Sequence, residues 1–335
     1  MLLERLSEAP GVASKENEIR DIIRDFICDD VEKIRTDIMG NLIAAKGLDK
    51  QGPVTMLAAH MDEVGLMITD INENGLLKFM SVGGLDKRIL VSKVVRVGCD
   101  NITGVIGAKP IHLQKKAERK KPIDIDNLYI DIGVNSQDEA KSFVQPGDVA
   151  VFKTEFNKLE NNKVIGKAFD DRVGCSLLAK LTKFEPSAPT YFVFTVQEEV
   201  GLRGARQAAY KIDPDRAIVL EGTTAADVPN NKEHRYSTTL EEGPAFTIRD
   251  RSLISSRSLL QKLIKTAENN NINYQFRRTT AGGNDAGVIH LTRDGVPSAV
   301  ISLPCRYIHS PLAMMSLEDY SQAENLLKKF ICKTN

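Results

Sequence analysis

No CxxC pair, no long apolar run and no excess of either charge occurs in this chain of 335 residues, and each absence excludes a class of function. The five cysteines, at 28, 99, 175, 305 and 332, are odd in number and widely spaced. They indicate neither a disulfide framework nor a cysteine-ligated zinc site, and they point to a reducing, cytoplasmic setting. No window reaches the length needed to cross a membrane, and the opening MLLERLSEAPG meets Glu4 and Arg5 before a signal-peptide core develops. The expectation is a soluble, unexported chain without a membrane partner. Forty-five Lys and Arg balance forty-five Asp and Glu, so no overall field draws in nucleic acid. The one basic run, KKAERKK at 115–121, reads as a solvated loop. Neither GxxxxGK[ST] nor GxGxxG is present. The glycine-rich TTAGGNDAG at 279–287 therefore reads as a tight turn or a close backbone approach to a substrate, not a phosphate cradle.

What is present is an ordinary globular composition, 42% hydrophobic and 27% charged, on a chain long enough for a large core and two domains. Ile19, Ile22, Ile23, Phe26 and Ile27 give a first amphipathic helix, and KIRTDIMGNLIAAKG reads as a hairpin about Gly40-Asn41. From 66 to 156 the texture is one of short strands and turn residues, with only Ser136 to Phe143 looking helical. This predicts a small β-domain inserted between two parts of a catalytic domain, 1–65 and 157–335. In the latter, strands at 190–196, 216–221 and 297–303 alternate with helices at 172–184, 202–210 and 256–270, and Ser316 with Asp319 starts a final helix as a capping box. The predicted class is α/β, a mixed, mostly parallel sheet flanked by helices on both faces.

The functional signal lies at the ends of apolar runs. FVFTVQEEVG (192–201) stops at Glu198 and Glu199; LAAHMDEVG (57–65) delivers His60 and Asp62; GKAFDDRVG (166–174) carries Asp170 and Asp171 just before a helix; AIVLEG (217–222) ends on Glu221; CRYIHSP (305–311) carries His309. Ligands of open α/β sheets bind at the carboxyl ends of strands. Carboxylates and imidazoles gathered there make a divalent-metal site. Asp170 would bridge two ions about 3.5–4 Å apart, with His60 and Glu221 on one and Glu199 and His309 on the other. Neighbouring residues of an extended chain point opposite ways, which leaves Glu198 as general base, and Asp62 is placed to accept the second ring N–H of His60. Asp171 reads as an acid at a helix N-terminus, Glu63 and Asp227 as surface acids, and His112, His234 and His290 as ordinary polar residues.

Together AHMDEVG, GKAFDDRVG, QEEVGLRGA, LEGTTAAD, AGGNDAG and RYIHSP, in this order over nearly the whole chain, resemble the M42 family of dinuclear metallo-aminopeptidases. The resemblance implies metal ligands at His60, Asp170, Glu199, Glu221 and His309, Glu198 as base, and Asp62 orienting His60. It also implies two divalent ions, zinc or cobalt, peptide substrates, and dimers formed through the inserted domain that assemble into a dodecamer. Glu221 stands where many members have Asp. Three rival readings are a related metallo-carboxypeptidase or deacylase, an endoglucanase working with two carboxyl groups and no metal, and a scaffold with a decayed site. The preferred first residue of the substrate is not readable from the sequence: Arg172 or Arg306, for example, could favour acidic residues or equally support a metal ligand from behind.

Overall fold

The computed structural model describes residues 1–332 apart from residue 230. Its main sheet is built from β1 (Lys33–Thr36), β2 (Leu42–Lys46) and β3 (Thr55–His60) and from strands after the insert. These later strands are β10 (Asn157–Lys158), β11 (Lys163–Gly166), β12 (Thr190–Thr195), β13 (Arg216–Thr224), β14 (Ala245–Phe246), β15 (Gln275–Phe276), β16 (Ser298–Arg306) and β17 (Ala313–Ser316). The order is β1-β2-β12-β3-β13-β16-β17-β11-β10, with β14 pairing beside β16 and β15 beside β14. Strands β12, β3, β13 and β16 run parallel, so their carboxyl ends share one edge; β2 and β17 join antiparallel on either side.

Side chains alternate across these strands with period two. Leu57, Ala59, Phe192, Phe194, Ile218 and Leu220 face one core. That core is covered by α1 (Leu2–Glu8), α2 (Asn17–Ile27), α4 (Phe169–Leu181), α6 (Arg257–Asn269) and α8 (Leu317–Ile331). Met56, Ala58, Val193, Ala217 and Val219 face the other, under α5 (Arg203–Ile212) and α7 (Ala286–Ile289). This is the helix–sheet–helix architecture expected from the alternating pattern.

Between β3 and β10 the chain closes a barrel of order β4-β5-β8-β7-β6-β9. Its strands are β4 (Gly65–Ile71), β5 (Leu77–Val82), β6 (Val94–Val97), β7 (Ile102–Ala108), β8 (Leu128–Asp131) and β9 (Val149–Phe152), with α3 (Gln137–Lys141) beside them. Its own core includes Leu66, Phe79, Val97, Ile106, Ile130 and Phe152. No helix among the described residues is long and apolar enough to cross a membrane.

Two short elements lie outside those read from the sequence, and two local expectations need correction. The chain opens with α1, seven residues held by buried Leu2, Leu3 and Leu6, too short to announce itself by periodicity. β8 is only four residues long, too short for its alternation of buried and half-buried side chains to stand out in the sequence. β13 continues three residues past Glu221, because its amide ladder with β16 extends to Thr224. Ser316 does cap α8, but through the amide of Glu318, while the Asp319 carboxylate accepts from the amides of Glu241 and Gly243 in a neighbouring loop. No reciprocal capping box forms there.

Candidate metal centre

His60 ends β3, Glu198 and Glu199 form the turn after β12, Glu221 lies near the end of β13, and His309 follows β16. Asp170 arrives from outside the sheet. Ala168 adopts a left-handed conformation, and Asp170 and Asp171, joined by a cis peptide bond, keep non-helical backbone angles before α4 becomes regular at Arg172. The carboxylate of Asp170 lies between two imidazoles, Oδ1 at 3.3 Å from His60 Nε2 and Oδ2 at 3.3 Å from His309 Nε2. Glu199 Oε1 is 3.3 Å from His309 Nε2, and Glu221 Oε2 is 3.7 Å from His60 Nε2.

Each ring is fixed from behind. His60 Nδ1 donates to the carbonyl of Asp62 at 3.1 Å, and His309 Nδ1 to the carbonyl of Gly84, in the loop after β5, at 3.0 Å. A ring whose Nδ1–H is committed to a carbonyl presents, when neutral, the lone pair of Nε2. The Asp62 carboxylate does more than was expected of it. One oxygen lies 3.5 Å from His60 Nδ1, but its short hydrogen bonds come from the amides of Glu198 (2.9 Å) and Glu199 (3.0 Å). It therefore positions the acid pair as well as the imidazole.

Asp171 is wholly buried and accepts from the amides of His60 (3.2 Å) and Gly174 (3.0 Å), the second of these at the start of regular α4. His112 and His234 are exposed, and the His290 ring bonds the carbonyl of Ala286 within its own helical turn. Glu63 and Asp227 are not free surface acids. Glu63 is buried against Lys167 (2.7 Å) and Arg172 (3.1 Å), and Asp227 takes both ends of the Arg306 fork at 2.7 and 2.8 Å.

Protonation in the cluster follows from burial. Burial, reinforced by neighbouring carboxylates, pushes Glu198 and Glu221 well above the usual range and Glu199 up to about 7. Asp170 is buried too, but the imidazoles of His309 and His60 overcome that and hold its carboxyl well below the ordinary range. Burial opposes a charge on the imidazoles; Asp170, helped by Asp62 for His60 and Glu199 for His309, nevertheless lifts His60 well above normal and His309 to about 9. So much buried negative charge needs protons or cations to offset it.

The donor set fits divalent ions. Glu199 Oε1 and Glu221 Oε1 are buried without a hydrogen-bond donor, the ion contact of Glu199 with His309 lacking hydrogen-bond direction, and an orphaned carboxylate oxygen is costly unless a cation takes it. Oxygen and imidazole donors also converge within a few ångströms, as Asp170, Glu199 and His309, and as His60, Asp171 and Glu221.

The family model described as M42 glutamyl aminopeptidase matches residues 40–326. The chain belongs to the M42 family. Lysyl aminopeptidase of Pyrococcus furiosus is 32% identical over 339 residues, 98% of this chain and 96% of its own. A TET aminopeptidase from a marine sediment Thaumarchaeota archaeon superposes with a TM-score of 0.96 at 35% identity, covering 100% of this chain and 96% of that one. For the TET1 peptidase of Pyrococcus horikoshii the TM-score is 0.89 at 34% identity, covering 99% of each. The protein is a metal-dependent aminopeptidase, a hydrolase of peptides.

A cavity of about 600 Å³ opens on the M42 cluster, lined by Asp170, Glu198, Glu199, Glu221 and His309 and, beyond them, by Arg235, Ser237, Arg277 and the loop 279–284. Neither arginine nominated from the sequence lines it. Arg172 is fully buried, donating to the carbonyls of Met61 and Leu6, and Arg306 is taken up by Asp227. Arg235 and Arg277 carry no motif of their own. The one sequence signal near them is the glycine-rich loop that follows Arg277.

Proposed function

We propose that this M42 aminopeptidase holds two divalent ions, zinc or cobalt, and uses them with Glu198 to release N-terminal residues from peptides. His60 and Glu221 would hold one ion, Glu199 and His309 the other, and Asp170 both. The observation that carries this reading is the Asp170 carboxylate, with one oxygen toward each imidazole. Bound ions supply Lewis acidity toward the scissile carbonyl and lower the pKa of water.

The chain's own residues do the rest. Glu198, whose carboxyl burial pushes well above the usual range, takes the proton of the attacking water on its carboxylate and passes one to the leaving amine. Asp62 aims that carboxylate through the amide of Glu198 and holds Glu199 through the next amide. The acidic cluster complements the free amino group of a peptide, which fixes the substrate end from which residues are removed.

The barrel is assigned to pairing subunits, and the pairs to a dodecamer, in the cytoplasm. Ile111, Leu113 and Phe143, large apolar side chains exposed beside the barrel, support an interface there, as does the TET1 peptidase, which assembles into a tetrahedron or a large octahedral shell. The deciding assay is turnover of aminoacyl-anilides before and after chelation. Activity should vanish on metal removal and return with zinc or cobalt, and N-acetylated peptides should be refused. Full activity in demetallated protein would contradict the reading.

A further inference from the structure

The cavity that holds the acidic cluster also has a cationic part. Arg277, which follows β15, and Arg235 both line it, and among the described residues neither has a carboxylate partner. Arg277 directs Nη2 at the carbonyl of Ala281, which ties the guanidinium to the glycine-rich loop, but its Nε is buried and donates to nothing. Ser237, which also lines the cavity, is 4% exposed, and its Oγ is likewise buried without a partner. Two neighbouring linings of one cavity thus each carry an unused buried donor, an arrangement that is costly unless an acceptor arrives.

A guanidinium offers a planar fork that matches a carboxylate. Of the cationic side chains lining this cavity, His309 is already paired with Asp170 and Glu199, which leaves Arg277 and Arg235 as those without a carboxylate partner among the described residues. The acceptor must then come in with the substrate. We propose that Arg277, with Ser237 and Arg235, forms a subsite that binds a carboxylate of the peptide being cleaved. This rests on the aminopeptidase reading above and adds to it the substrate group that is selected. Two sources share that chemistry: an acidic side chain on the first residue, or the C-terminal carboxylate of a short peptide.

The metal-loaded enzyme can be assayed on glutamyl-, glutaminyl- and leucyl-p-nitroanilide, and on leucyl-leucine against its C-terminal amide. Anilides lack a terminal carboxylate. A glutamyl over glutaminyl preference in kcat/KM of about 10- to 100-fold, expressed mainly in KM, assigns the subsite to the first side chain. A similar preference for the dipeptide acid over its amide assigns it to the C-terminus. In either case Arg277→Met should erase the preference; Ser237→Ala and the fork-deficient Arg277→Lys should each reduce it, and they serve if Arg277→Met folds poorly. Equal turnover of both members of each pair, or a preference that survives in all three variants, overturns the subsite and leaves the peptidase standing. Absence of turnover on every substrate overturns both.

Discussion

At the scale of single residues, the division of labour between Glu198 and its neighbour is the sharpest prediction. Glu199 Oε1 lies 3.3 Å from the imidazole of His309, whereas Glu198 comes near His60 and Glu199 only at up to 4.8 Å. Glu198→Gln should keep metal binding and lower kcat by at least about 100-fold, as removal of a general base does; metal content and turnover measured on the same sample check it. The cluster also fixes a pH dependence. Glu199, near 7, and His309, near 9, are both raised, so below these values they carry protons that a metal must displace. Affinity for cobalt should rise with pH through this range, with protons released on binding. Calorimetry in buffers of different ionisation enthalpy gives both quantities, and a flat affinity with no proton release would refute this.

At the scale of elements, the site depends on close backbone approaches. A Cβ on Gly222, in β13, would lie 2.9 Å from the Cα of Asp170, so only a residue without a side chain lets the start of α4 sit against that strand. Gly222→Ala should displace Asp170 and weaken metal binding at least about tenfold while the fold persists; an alanine variant with unchanged affinity would show that the contact relaxes freely. Nearby, Glu63 joins three segments. It is buried with Lys167 and Arg172, and those cations also bond the carbonyl of Ala9 after α1. Burial pulls the Lys167 ammonium down to about 8, so it is the Glu63 carboxylate that makes the pair tolerable. Glu63→Gln should destabilise by about 3–5 kcal/mol, read from the midpoint of chemical denaturation, because it leaves two buried cations uncompensated.

At the scale of the whole molecule, the barrel is tied to the catalytic sheet at the site itself. The Gly84 carbonyl orients His309, and a Cβ at Gly83 would come within 3.4 Å of Glu199. The inserted unit therefore reaches the candidate metal centre, and its exposed Ile111 and Leu113 are where the proposed assembly can be tested. Sedimentation should show an oligomer of 37.0 kDa subunits, and the double variant Ile111→Asp, Leu113→Asp should reduce it to smaller species. A monomeric native protein would remove the assembly from the proposal.

The chain's local grammar was enough to find the β-α alternation, the short-strand insert and the five motif segments, since period-two patterning and apolar runs that stop at acids are properties of neighbouring residues. Only the folded chain decided which donors meet. The parallel register of β12, β3 and β13 brings Thr195 beside His60 and Val219 beside Ala58, and a loop from the barrel supplies the carbonyl behind His309. Asp62 acting through two amides, Glu63 and Asp227 neutralised by partners more than 75 positions away, and Arg277 in place of Arg172 or Arg306 in the cavity all depend on such long-range pairings. An arginine's surroundings are set by crossovers between strands, and no window of sequence around it encodes them.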